Sequence, residues 1–193
     1  MEYSQLTQTF FTKLYQDIEE FRFTFDLPVT APKTLDSSAD TLHSSLIIEE
    51  MTELAEADSK IEQADAIVDS VYVLMGRLVH LGSKDINDTP TISYFIDVLL
   101  NVAINRGIHF EPCWDEVHSS NMSKVCRTDQ EFKDTETHYA KEGITLEKVI
   151  KGDYIIAKCA EDFVSPNKTI RKGKVLKSVY YRPAALETLV ADR

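Results

Sequence analysis

From residue 61 to residue 81 the chain is apolar on almost every face. Ile67, Val68, Val71, Val73, Leu74, Met75, Leu78 and Val79 recur at helical spacing but fill more than one stripe, and Gly82 closes the run. A surface helix carries a single apolar stripe, so a helix apolar all round is central to a bundle or buried against another subunit. The flanking sequence supplies helices to cover it. Residues 4–25 place Leu6, Phe10, Phe11, Leu14, Ile18 and Phe21 on one face, and residues 39–60 follow the cap-like run Asp36-Ser37-Ser38. Residues 91–106 carry Ile92, Phe95, Ile96, Leu99 and Leu100 and stop at Gly107. Beyond Arg127 the periodicity fades, and Gly143, Gly152, Pro166 and Gly173 cut the chain into short pieces. Residues 154–157 and 174–176 read as short strands. The expectation is a mainly α protein: a helical core over residues 1–126, and a C-terminal extension over 127–193 whose hairpin and tail pack on it.

Carboxylates interrupt this apolar plan in two places. The second helix carries Glu49, Glu50 and Glu53, and the third opens with Glu62 and Asp65, with Asp69 one turn on. At about 100° per residue, Glu49 and Glu53 lie roughly 40° apart, and Glu62, Asp65 and Asp69 fit within roughly 60°. Each helix thus presents a carboxylate stripe, and a turn between antiparallel helices lets the stripes face each other. An acidic cluster alone is ordinarily a solvated face. Here the second stripe enters a nearly all-apolar helix, where unpaired carboxylates are expensive and a bound cation is the natural compensation. Magnesium takes hard oxygen ligands and is commonly shared between carboxylates and substrate phosphates.

The pattern EExxE followed by ExxD on the next helix resembles the all-α NTP pyrophosphatases, the MazG-like and phosphoribosyl-ATP pyrophosphohydrolase-like proteins. Val117-His118-Ser119-Ser120-Asn121-Met122-Ser123-Lys124 is similar to a VHxSNMSK segment of the phosphoribosyl-ATP pyrophosphohydrolase-like branch, as is Gly173-Lys174-Val175-Leu176-Lys177 with Tyr180 and Pro183 after it. The resemblance spans roughly residues 21–183, with 127–170 as an insertion. It implies an all-α NTP pyrophosphatase-like bundle with a small C-terminal appendage. It also implies Mg2+ (with Mn2+ able to substitute) and hydrolysis between the α and β phosphates of a nucleoside triphosphate. By the resemblance Glu49, Glu50 and Glu53 are catalytic, and Glu50, Glu53, Glu62 and Asp65 bind metal, with Asp69 an additional ligand. His118, Asn121, Lys124, Lys174 and Lys177 are the substrate-binding candidates, and family members complete their sites at subunit contacts, which implies a homodimer or a dimer of dimers. An alternative within the class is phosphoribosyl-ATP pyrophosphohydrolase of histidine biosynthesis. A different class is a non-catalytic nucleotide-binding helical module.

Other readings lose ground on the residues themselves. A net charge of −11 argues against an extended nucleic-acid surface, although metal ions can bring anionic nucleotides to an acidic protein. No GxxxxGK[ST] loop is present, and the Glu-x-x-His pairs of a di-iron bundle are missing, Asp115 to His118 being the nearest approach. Cys113, Cys126 and Cys159 are odd in number and form no CxxC, as expected of thiols in a reducing compartment. Neither a signal peptide nor a bilayer-length apolar run is apparent, so the expected setting is cytoplasmic, without a membrane partner. Trp114 and Phe110 could stack on a base, but aromatics near a helix end more often pack a core.

Overall fold

The computed structural model describes residues 2–166 and 168–191. In chain order its elements are α1 (Gln8–Thr24), α2 (Ser37–Glu56), α3 (Lys60–Leu81), α4 (Pro90–Asn105), α5 (Phe110–Met122), α6 (Asp129–Ala140), β1 (Leu146–Lys151), β2 (Tyr154–Cys159), β3 (Phe163–Ser165), β4 (Lys168–Ile170), β5 (Val175–Leu176) and α7 (Glu187–Val190). The helices and small β appendage are consistent with an all-α pyrophosphatase-like fold. Two compact units result. The first takes Met1–Phe23, Leu27–His118 and Ala185–Arg193, and the second Thr24–Asp26 and Ser119–Ala184. The division therefore falls at 118/119, ahead of the expected 126/127, and the chain returns to the first unit at Ala185.

In the first unit α3 packs against α2, α4 and α7. Val68, Val71, Met75 and Leu78 are fully buried on it, along with Phe11, Leu14 and Ile18 of α1, Ile96 of α4 and Trp114 of α5. The all-round apolarity of α3 is satisfied within one chain, so its burial needs no second subunit. Local chemistry sets its ends. Ser59 accepts from the Glu62 amide while the Glu62 carboxylate takes the Ser59 amide, a reciprocal capping box. Gly82 ends the helix at φ 77°, and a Cβ there would stand 2.3 Å from that of Ala31, so conformation and space both require glycine. The N-terminal arm is pinned by Asp97 of α4. Its carboxylate accepts from the amides of Ser4, Gln5 and Leu6 at 3.0, 2.7 and 2.8 Å and from the Ser4 hydroxyl.

The second unit is more ordered than its sequence texture suggests. Thr128 caps α6 through the Glu131 amide, and Glu131 reaches back to the Arg127 amide at 2.7 Å. β1, β2 and β5 form an antiparallel sheet in the order β1-β2-β5, with Leu146 opposite Cys159 and Lys151 opposite Tyr154. β3 and β4 make a separate hairpin. Cys126, Phe132, Ile144, Leu146, Ile155, Ala157, Cys159, Ile170 and Leu176 form one buried cluster. Asp26 joins this unit through Lys151 and Lys158 at 2.7 and 3.2 Å. The expected strands are present as β2 and β5, whereas α6, β1, β3 and β4 were not read from the sequence.

Candidate functional site

The turn Ala57-Asp58-Ser59 folds α2 and α3 into a helical hairpin that carries both acidic stripes. Glu50 is half-buried on α2, with Glu49 and Glu53 exposed on either side; on α3 Asp65 is exposed and Asp69 half-buried. Desolvation pushes the Glu50 carboxyl up from 4.5 to about 7, and the negative charges of Glu53, Glu49 and Asp65 push it the same way. Asp65 is also raised, by desolvation. Its surface is open yet its surroundings are crowded, because it lines a concave cleft of about 270 Å³ with Glu53, Glu56, Asp58 and Glu62 at the hairpin turn. Asp65 of α3 is therefore close enough to Glu50 of α2 to raise its cost of ionisation.

Glu62 is placed differently. Its carboxylate accepts from the Asp58 and Ser59 amides at 3.0 and 2.9 Å, and those hydrogen bonds hold it below the usual carboxylate range. Glu62 is engaged in the helix cap, which leaves Asp65 and Asp69, one turn apart, as the other carboxylates of the α3 stripe. Among the described residues no three His, Cys, Asp or Glu side chains converge tightly enough to hold an ion by themselves. That differs from the shared electrostatics around Glu50. Both observations fit splayed like charges, and magnesium needs only one or two protein carboxylates when water and phosphate supply the rest. The hard-oxygen donors suit that ion.

His118 is tied down: its Nδ1 lies 3.1 Å from the Tyr72 hydroxyl, and its Nε2 lies 3.8 Å from Glu20. Trp114 is fully buried and donates to Asp17 at 2.7 Å, and Phe110 is buried beside it, so both are core residues. α5 ends at Met122, so Lys124 falls beyond its last turn. There Lys124 Nζ donates to Asn121 Oδ1 at 2.6 Å, and Ser120 donates to the Tyr181 hydroxyl at 3.1 Å. Lys177 lies over the Tyr181 ring at 4.3 Å, and Lys174 is exposed. Sequence reasoning missed Asp97 and the buried pair Arg22 and His43, because a lone polar residue at a helical core position carries no motif.

The α2–α3 hairpin thus gathers acidic side chains of both helices around Glu50. Residues 18–89 match the phosphoribosyl-ATP pyrophosphohydrolase family model, a family within the MazG-like NTP pyrophosphatase superfamily. The matched stretch takes in the end of α1 and all of α2 and α3, hence all six acids; residues 117–124 and 173–177 lie outside it. It supports a nucleotide-pyrophosphohydrolase type of enzyme. No curated protein and no solved structure matches the chain. Among the described residues no helix is long and apolar enough to cross a membrane.

Proposed function

We propose that the chain is a Mg2+-dependent nucleoside triphosphate pyrophosphohydrolase that releases the monophosphate and pyrophosphate. The observation that carries this reading is Glu50: a half-buried carboxyl raised to about 7 among Glu53, Glu49 and Asp65, within the segment that matches the family. Glu50, Glu53, Asp65 and Asp69 would hold the metal, with Mn2+ able to replace it. When bound, the ion offsets triphosphate charge and polarises the reacting phosphoryl oxygens. Glu49, exposed beside Glu50, orients the attacking water and takes its proton, while Glu62 fixes the turn that sets the stripes in register. Asn121 and Lys124 present an amide and an ammonium suited to sugar and phosphate, with Lys174 and Lys177 as further cations.

A homodimer or dimer of dimers in the cytoplasm fits this reading. Support for an assembly comes from apolar side chains left exposed on α2 (Leu42, Ile48) and α4 (Tyr94, Phe95, Val98). The test of activity is a panel of nucleoside triphosphates and phosphoribosyl-ATP with Mg2+, scoring pyrophosphate and orthophosphate separately. Pyrophosphate from a triphosphate, lost in excess chelator, is the expected result. Orthophosphate as the product, or full activity with chelator, excludes the proposal.

A further inference from the structure

Helix α2 is seated shallowly in the first unit: along Ser37–Glu56, His43 alone is buried. Several apolar side chains ordinarily seat an amphipathic helix, but here Leu46 and Ile47 are half-buried and Leu42 and Ile48 exposed. The covered seat is an imidazole, 4% exposed, whose Nε2 lies 3.0 Å from Nδ1 of His80 near the end of α3. A hydrogen bond between two imidazoles needs a proton on one nitrogen and a bare lone pair on the other. With both rings protonated no acceptor is left, and two N–H groups face each other. Among the described residues His43 Nδ1 has no partner, so a proton there gains no compensating bond.

The charges around this pair are already balanced. From α1, Arg22 donates its Nε to the Pro28 carbonyl at 2.8 Å and stays a cation, although burial lowers it to about 10. From α3, Arg77 pairs with Asp40 of α2. Asp40 acts on His43, and Asp36, the α2 cap, acts on His80. Two cations and two carboxylates thus surround two neutral rings, and each proton taken up adds an uncompensated charge. Burial, Arg22, His80 and Arg77 push His43 down from 6.5 to about 4, against the pull of Asp40. Burial and Arg22 lower His80 too, against Asp36.

We propose that the His43–His80 pair is an acid-sensitive latch: neutral rings seat α2 on α3, and their protonation lets the N-terminal half of α2 come away while α3 stays packed. Glu50 lies about two turns beyond His43 on the same helix, so the latch acts on the helix that carries the acids, whatever those acids do. A histidine lowered in the closed form favours closure fully above its ordinary value of 6.5. As pH falls from there towards about 4, the closed-to-open ratio drops by up to about tenfold per pH unit for that proton. Protonating Glu50 relieves repulsion and tightens α2 in metal-free protein, so the two responses have opposite signs.

Hydrogen exchange of the full chain in chelator, read by mass spectrometry at pH 7.5 and 5.0 and corrected for the intrinsic pH dependence, tests the latch. Protection of residues 37–48 should fall by about tenfold or more on acidification, while that of residues 66–79 in α3 changes by less than about threefold. His43→Gln keeps a donor for His80 without a titrating ring, and His43→Leu keeps apolar bulk. Whichever variant folds at pH 7.5 should hold its α2 protection at pH 5.0 within about threefold of the starting value. Imidazole proton NMR of the parent chain needs no variant: two of the five rings should titrate below the ordinary range. Unchanged α2 protection in the parent chain, a loss shared equally by α3, a loss as deep in the His43 variants, or five ordinary imidazole midpoints each overturns the latch.

Discussion

Asp97 and Glu50 are both shielded carboxylates in the same helical unit, and they face opposite surroundings. Burial works against the Asp97 charge, but the amides of Ser4, Leu6 and Gln5 outweigh it and hold the carboxyl below its ordinary range. Glu50 is also desolvated, yet its electrostatic neighbours are Glu53, Glu49 and Asp65, so every cause raises it. One acid has its counterpart in the backbone and builds the fold. Among the described residues the other has no counterpart, and that deficit is what a cation and a triphosphate would fill. Removing charge should therefore hurt at Asp97 through stability and at Glu50 through function.

The largest expected effect is on turnover. Glu50→Gln, Glu53→Gln and Asp65→Asn should each lower kcat by about a hundredfold or more, the scale of lost transition-state charge stabilisation. Their melting temperatures in chelator should hold or rise, because each removes a repelling charge. Variants that unfold while the folded fraction keeps full activity would show these acids to be structural.

Next comes Asp97→Ala, which strands three backbone donors. Urea unfolding should register a loss of about 2–3 kcal/mol, with pyrophosphate release per folded molecule unchanged. A loss of turnover without loss of stability would erase the contrast between the two acids.

The pH dependence should have opposite signs at the two sites. Glu50 is raised in the fold, so in metal-free protein the unfolded state holds fewer protons between 4.5 and about 7, and stability falls as pH rises through that window. Asp97 is lowered, so its contribution is present above the ordinary carboxylate range and is lost as pH falls through its folded value. Subtracting the Glu50→Gln unfolding profile from that of the parent chain, both in chelator, should isolate the first slope; identical profiles would contradict it.

The smallest effect is expected at Glu62. Glu62→Gln keeps an acceptor in the capping box, so it should cost under about 1 kcal/mol and change turnover only severalfold. A loss as deep as that of Glu50→Gln would return Glu62 to the metal site.

Glu62 also marks how far the sequence could be read. The α-helical class, the central place of α3 and the pairing of the acidic stripes were legible, because helical periodicity reports burial and spacing reports a shared face. Ser59-Lys60-Ile61-Glu62 satisfies two patterns at once, a capping box and half of an acidic motif, and only the hydrogen bonds of the Glu62 carboxylate separate them. The same signature, Thr128 to Glu131, precedes α6, but without a strong apolar stripe it does not mark a helix by itself. β1 alternates too weakly to stand out, with Glu147, Lys148 and Ile150 all exposed. Arg22 and His43 were not legible at all: what makes them unusual is their burial among apolar side chains, and that is a property of packing.

Magnesium calorimetry without nucleotide, at pH 7 in two buffers of different ionisation enthalpy, tests the central claim most directly. If Glu50 is held half-protonated by burial and like charges, binding should expel a proton, so the observed heat should differ between the buffers. Glu50→Gln should weaken binding and remove the buffer dependence. No magnesium binding by the parent chain, or binding and proton release unchanged in Glu50→Gln, would contradict the assignment of the α2–α3 acids as the metal site.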